Sequence, residues 1–360
     1  MNNNYCVIMS GGVGGRFWPI SREKKPKQFV DFFGTGRSLL QETFARFRKI
    51  IPADHIFVVT HLSYTEQTRE QLPELPPENI LSEPHRRNTA PCIAFASYYI
   101  RKLNPDARIV VAASDHLILD TELFTQNILT ALDFAGTHPY LVTLGIKPTR
   151  AETGYGYIQA GKEQSEGFFH VKAFTEKPGI DMARIFVESG EFLWNSGMFV
   201  WHVNSIIAAF EEYMPDLAQE FTAALPDMGT PHQAEAILKV YAYSSALSID
   251  YGIMEKSHNV LVYPVQFGWA DLGTWGSLYD LSRQDAQGNV TPNSTNALFY
   301  EAHRNIVNLD DPRKVAVIQG LDDYIVAQRG NALLICKKSE EQRIKSFVFD
   351  VKLKFGDDLV

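Results

Sequence analysis

Short runs of consecutive apolar residues alternate, through the first half of this 360-residue chain, with longer stretches whose apolar positions recur every three or four residues. The runs at 5–9, 56–60, 109–113 and 140–144 read as strands covered on both faces, because a half-exposed strand would alternate apolar with polar. Between them, Leu39, Leu40, Thr43, Phe44, Phe47, Ile50 and Ile51 repeat at helical spacing, as do Leu123, Ile128, Leu132 and Ala135. This alternation predicts βαβ units and a Rossmann-like, mixed and mostly parallel sheet. Asn88-Thr89-Ala90-Pro91 predicts a helix start, with Asn88 or Thr89 as the cap and Pro91 in the first turn. A helix start is also a place where a base or a phosphate meets free backbone N–H groups.

Near residue 145 the texture changes. Gly145, Gly154, Gly156, Gly161 and Gly167 punctuate short alternating segments, so 155–160 and 171–175 read as antiparallel strands beside the main sheet. Helical patterns follow at 204–214 and 232–241. Beyond about residue 284 the chain breaks into short β runs between polar turns, at 314–318, 324–328, 332–336 and 347–354. The reading is a catalytic domain over 1–284 and a small β-rich domain over 285–360.

Composition narrows the class. The apolar share of 45% with 21% charged residues is that of a globular protein. A net charge of -8 argues against a nucleic-acid partner, since duplex binders carry a basic surplus. Cys6, Cys92 and Cys336 are scattered and show no metal-ligand spacing, which suits reduced thiols in a cytoplasm. No apolar run approaches the ~18 residues of a membrane span, so no membrane partner is expected.

The densest chemical signal is Ser10-Gly11-Gly12-Val13-Gly14-Gly15-Arg16, directly after the first strand. Glycines there let backbone approach a ligand closely. The spacing is not that of a P-loop, because no Lys follows until Lys24; nor is it the dinucleotide fingerprint, because Phe17 stands where the third Gly belongs. Arg16 leaves the loop directly, and Lys27, held by Pro26, follows eleven residues on. A planar guanidinium and a mobile ammonium together suit a triphosphate.

Two carboxylates complete the picture. Asp115, followed by His116, lies at the C-terminal end of the strand at 109–113, where open α/β sheets place their ligand crevice. Asp271 sits among aromatic residues and glycines in Gly268-Trp269-Ala270-Asp271-Leu272-Gly273, with few other charges nearby. A shared metal is one reading and a pair of capping aspartates the other. Gly154-Tyr155-Gly156-Tyr157, Glu176-Lys177-Pro178 and Trp194-Asn195-Ser196-Gly197 each join a polar group to glycine or aromatic neighbours, a mix that suits a sugar.

The order of these pieces from residue 5 to about 280 resembles the sugar-1-phosphate nucleotidyltransferases, and within them the GDP-mannose-forming guanylyltransferases. That resemblance implies a GT-A-like nucleotidyltransferase domain followed by a left-handed β-helix-like extension. It implies transfer of GMP from GTP to mannose 1-phosphate in the cytoplasm by a homodimer using Mg²⁺. Residue by residue, Ser10, Gly11, Gly12, Gly14, Gly15 and Arg16 would hold the nucleotide phosphates, with Lys27 neutralising charge at the α-phosphate. Asn88, Thr89, Ala90, Pro91 and His116 would border the base. Asp115 and Asp271 would share the metal; Gly154, Glu176 and Asn195 would bind mannose hydroxyls, and Lys177 the sugar phosphate. Gly15 stands where many relatives carry Thr or Ser, which removes a hydroxyl contact. Another hexose 1-phosphate or base, a silent sugar-nucleotide-binding subunit, and a Rossmann oxidoreductase are the alternatives.

Overall fold

A computed structural model describes residues 3–360. In chain order its strands are β1 (Asn4–Met9), β2 (Ile56–His61), β3 (Ile80–Glu83), β4 (Arg108–Ala113), β5 (His116–Ile118), β6 (Leu141–Ile146), β7 (Tyr157–Ser165), β8 (Phe168–Thr175), β9 (Phe192–His202), β10 (Val260–Val265), β11 (Trp269–Asp271), β12 (Asn296–Tyr300), β13 (Ile306–Leu309), β14 (Val315–Gln319), β15 (Tyr324–Arg329) and β16 (Ala332–Lys337). The helices are α1 (Leu39–Arg48), α2 (Thr65–Gln71), α3 (Thr89–Leu103), α4 (Thr121–Thr137), α5 (Ile180–Ser189), α6 (Val203–Tyr213), α7 (Pro215–Ala224), α8 (Gln233–Tyr243), α9 (Trp275–Leu281) and α10 (Ile344–Phe355).

Contacts divide the chain into two compact units, each discontinuous in sequence. The first holds 1–11, 44–113 and 118–269; the second holds 12–43, 114–117 and 270–360.

Unit one is built on a nine-stranded sheet of order β3-β2-β1-β4-β9-β6-β10-β8-β7. β3, β2, β1 and β4 run parallel, and β6 runs parallel to β10, while β9 lies antiparallel between β4 and β6. The sheet is therefore mixed, as expected, with one parallel flank. Its unbroken apolar runs follow from burial on both faces: Cys6, Val7 and Ile8 in β1, and Ile56 to Val59 in β2, have no exposed surface. α3 is buried from Ala90 to Ile100, which is why its apolar residues form no single stripe. Among the described residues no helix is long and apolar enough to cross a membrane.

Strand β9 departs from ideal pairing. Val200 and Phe199 oppose Val142 and Thr143, then the register slips so that Asn195 opposes Gly145. Gly197 takes φ +67° inside this bulge, a conformation glycine adopts without a Cβ penalty. The bulge re-aims Asn195 and Ser196 out of a regular pleat.

Unit two combines the glycine loop, Asp115 and the C-terminal region around one apolar cluster that includes Phe17, Phe32, Leu272, Trp275, Ile306, Ile325 and Ile344. Its strands coil. β12 pairs in parallel with β14, and β13 with β15, each residue meeting a partner nineteen positions further on, as in Asn296 with Val315 and Ile306 with Ile325. Buried asparagines stitch successive coils: Asn305 donates through its backbone N and its Nδ2 to Asn289 Oδ1, and its own Oδ1 accepts from the Tyr324 N–H. This is the strand-rich, β-helix-like region expected at the C-terminus.

One element differs in kind. The stretch 347–354 reads as a strand, but α10 covers it. Its apolar residues fit either period, since Phe347, Phe349, Val351 and Leu353 alternate while Ile344, Phe347, Val348 and Val351 follow helical spacing. Packing decides for the helix: Ile344, Phe347, Val348 and Val351 join the unit-two core, and Phe349 and Leu353 are left exposed.

Candidate active site

The glycine loop lies mostly in unit two. Gly14 adopts φ +66°, and a Cβ there would sit 2.6 Å from the Lys27 Cγ, so the lysine stem lies across the glycine. Side chains pin the loop's carbonyls: Gln28 Nε2 donates to Gly12 O at 3.0 Å and Ser21 Oγ to Val13 O at 2.9 Å. Gly12 and Gly15 face open space, so neither glycine is demanded by packing and a hydroxyl residue at 15 would fit. Arg16 is half-buried, and its Nε is a buried donor with no hydrogen-bond partner among the described residues. A buried donor without an acceptor suits an anionic ligand.

Lys27 gathers the carboxylates. Its Nζ is 2.7 Å from Asp115 Oδ2 and 3.8 Å from Asp271 Oδ1, and it donates to Leu272 O at 3.0 Å. β4 delivers Asp115 at its C-terminal end, and β11 ends on Asp271. Beyond Asp271, Thr274 caps α9 in a reciprocal box with Ser277, so capping falls to Thr274. Burial pushes the Lys27 ammonium down, and the two aspartates outweigh it, leaving the pKa raised. Burial likewise lifts Asp115, yet Lys27 and His116 beside it leave its carboxyl below the usual range. Lys27 and Asp115 thus hold each other in their charged forms. Ligand atoms of Asp115, His116 and Asp271 all lie within 4.8 Å of one another. Two carboxylates so placed fit a hard divalent cation, for which His116 is the poorer ligand.

Unit one carries the remaining candidates in two groups. Around the end of β3, Tyr241 donates from its hydroxyl to Glu83 Oε1 at 2.8 Å, and Arg86 donates to Gly11 O and to the Tyr64 hydroxyl. Burial lifts Glu83 to about 7 against the hydrogen bond from Tyr241 and the charge of Arg86. Ser10 is buried, its N–H given to Val59 O and its carbonyl taken by Thr60, so its backbone anchors the end of β1. At the start of α3, Asn88 caps with φ +67° and accepts from the Thr89 N–H, while Ala90 N–H goes to Leu247 O and Thr89 Oγ1 accepts from Ile249. Those two amides are spent on the protein and Pro91 has none, so residues 89–91 offer no backbone N–H to a ligand.

The second group is the sugar-type cluster. Gly154 N–H is taken by Glu152 Oε1, and the Tyr157 hydroxyl clamps both the N–H and the carbonyl of Glu152. Tyr155 packs on Trp194 and Trp269 with ring centroids 5.2 and 5.1 Å apart. Lys177, at φ +47°, pairs with Glu176 Oε1. A Cβ on Gly156 would fall 2.5 Å from Glu176 Oε2 and 3.4 Å from Asn195 Cβ, so a larger residue here would displace the Glu176 carboxylate. Asp250, at the head of a five-residue π turn (Asp250–Met254), accepts from Asn195 Nδ2 at 2.8 Å. No glycine, aromatic or cationic neighbour of the kind that marks the other site residues singles out Asp250 as a ligand group in the sequence, apart from Tyr251 and Gly252 after it. Its signal is a lone acid in Ser248-Ile249-Asp250-Tyr251-Gly252, ahead of two buried apolar residues.

A mixed α/β sheet with a glycine loop and a lysine-bridged carboxylate pair defines a nucleotidyltransferase, and the chain belongs to the nucleotidyl transferase family, whose model matches residues 5–288. Its relatives point to one branch. It is 37% identical over 347 residues to a mannose-1-phosphate guanylyltransferase of Salmonella muenchen, covering 95% of this chain and 72% of that one. With a mannose-1-phosphate guanylyltransferase of Escherichia coli K12 the identity is 34%, covering 97% and 73%. Among solved structures, one described as a mannose-1-phosphate geranyltransferase from Thermus thermophilus superimposes with a TM-score of 0.87 at 28% identity, covering 98% of this chain and all of that one.

Proposed function

We propose that this protein transfers GMP from GTP to mannose 1-phosphate, releasing pyrophosphate and forming GDP-mannose. The observation that carries the reading is the Lys27–Asp115–Asp271 cluster beside the glycine loop, within one compact unit. A phosphate oxygen of the sugar phosphate attacks the α-phosphorus in line and pyrophosphate leaves. That oxygen is already ionised near neutral pH, so no general base is needed and no covalent intermediate forms.

The barrier is electrostatic. Two unit charges about 4 Å apart at an effective dielectric of ~20 repel by roughly 4 kcal/mol. Arg16 and Lys27 offset this at the triphosphate, with the loop amides of 11–15 as fixed dipoles. Asp115 and Asp271 would hold a divalent cation such as Mg²⁺, which supplies charge neutralisation and orients the phosphates when bound. Asn88 to Pro91 border the base. Glu176 and Asn195 bind sugar hydroxyls beside Gly154, and Lys177 meets the sugar phosphate; His116 positions and does not move a proton, since the step has none to remove. The same reading carries a homodimer acting in the cytoplasm.

Pyrophosphate release by the pure protein with GTP and mannose 1-phosphate tests this, with Asp271→Ala as control. A preference for UTP with glucose 1-phosphate would sink the mannose assignment. Loss of activity in His116→Ala as deep as in Asp115→Asn would end the positioning role of the histidine.

A further inference from the structure

Asn195 sits on the bulge of β9 with its amide almost fully committed. Its Oδ1 accepts from Thr143 Oγ1 at 3.2 Å and from the Gly197 N–H at 3.1 Å, which fills both lone pairs. Its Nδ2 donates one hydrogen to Asp250 Oδ1. One N–H remains, and Nδ2 would lie 3.7 Å from a Cβ on Gly156, on the side where that glycine faces Glu176. Turned over, the amide would set N–H against N–H at Gly197 and oxygen against carboxylate at Asp250. The orientation therefore has a chemical cause on each side, and Asp250 supplies the one that fixes the donor end.

Asp250 is an odd residue to set half-buried for structure alone. It is held in a π turn, a geometry that interrupts regular helix and is enriched at functional sites. Glu176 and Glu255 bear on it as like charges, with Lys177 as the opposing cation. Two half-buried carboxylates near one another are unfavourable for stability, and such arrangements cluster at functional sites.

We propose that Asp250 is a positioning residue of the sugar site: it locks the Asn195 amide so that a single N–H is presented, next to the Glu176 acceptor, to adjacent hydroxyls of the hexose. The assignment rests on the proposed function. A donor and an acceptor held side by side read a pair of neighbouring hydroxyls, and a freely turning amide does not.

The test is steady-state kinetics on the full chain with GTP and a panel of hexose 1-phosphates. Asp250→Ala should raise KM for mannose 1-phosphate about tenfold or more, leave KM for GTP within about twofold, and narrow the preference for mannose over glucose 1-phosphate. Asp250→Asn keeps an oxygen facing Asn195 and should recover KM to within about threefold of wild type. The double variant Asp250→Ala/Asn195→Ala should be no worse than Asn195→Ala alone, because both act through one amide. An Asp250→Asn variant as impaired as Asp250→Ala would overturn the proposal, as would equal loss toward both substrates or multiplicative losses in the double variant. If Asp250→Ala fails to fold, Asp250→Asn with the double variant Asp250→Asn/Asn195→Ala decides the same question. Wild-type protein that turns over a different hexose 1-phosphate would overturn the mannose reading while the same variants still judge Asp250 with that sugar; no turnover with any sugar phosphate would overturn both.

Discussion

The two polar clusters use the same materials to opposite effect. In unit two, two aspartates share one lysine, and Lys27 reaches both. In unit one, Glu176 and Asp250 lie near one lysine, but Lys177 is taken by its sequence neighbour Glu176. Lys27 and His116 overcome burial at Asp115 and hold its carboxyl down, whereas burial and then Glu176 push Asp250 up to about 6. Composition alone would not separate these sites. The first is a charged set ready for cations and phosphate; the second is an acceptor-rich set suited to hydroxyls, which need acceptors more than countercharge.

The sharpest way to break this contrast is to remove charge from the first cluster. Asp271→Asn should lower pyrophosphate release about a hundred- to a thousandfold, with KM for mannose 1-phosphate little changed. A loss confined to that KM would erase the distinction between the clusters. Next in size is Gly14→Ala, which asks for φ +66° from a residue with a Cβ and drives that Cβ into the Lys27 stem. It should cost about 1–3 kcal/mol in urea unfolding and lower turnover as well.

Protonation offers a smaller effect with a definite sign. Asp250 has a folded pKa of about 6, above its ordinary 3.8, so its favourable contribution is complete below the unfolded value and is lost as pH rises through about 6. Asp250→Asn has no such proton. Its stability relative to wild type should therefore improve by about 1 kcal/mol between pH 5 and pH 8, read from urea melts at the two pH values. No change, or a change of the opposite sign, would place Asp250 among the ordinary charged carboxylates. The smallest effect belongs to Gly156→Ala. Its Cβ crowds the far end of Glu176, a flexible side chain, and meets Asn195 at ordinary contact distance, so melting should hold while KM for mannose 1-phosphate rises about threefold.

Much of unit one is legible in the sequence because burial on both faces leaves unmistakable marks. β1, β2 and β4 are continuous apolar runs, and α3 announces itself through Asn88 and Pro91. Local chemistry misleads where tertiary packing decides. Asn195-Ser196-Gly197 carries the residues of a turn, yet it is a bulge inside the eleven-residue strand β9. The stretch 347–354 satisfies two periods at once, and only the core beneath Ile344 and Val351 chooses between them. The candidate site shows the same split. Arg16, Asp115 and Asp271 stand out as polar groups in apolar or glycine-rich surroundings, whereas Lys27 closes a charged run and is set apart only by Pro26 before it. That one ammonium spans both aspartates is a fact about residues far apart in the chain, as is the bond from Asn195 to Asp250, and no window of neighbouring residues contains either.

Lys27 and the Leu272 carbonyl it meets are 245 positions apart. On a ribosome adding about 5–20 residues per second, the glycine loop and its lysine wait roughly 10–50 s for their partners to be synthesised. Most of unit one is complete by then. Unit two is therefore the last to close, and a chain cut short before residue 270 would display a sheet complete in sequence with a glycine loop that lacks its partners. Such a fragment exposes Phe17 and Phe32 before Trp275 exists to cover them, so the vulnerable period of this protein in the cell is set by the order in which its residues are made.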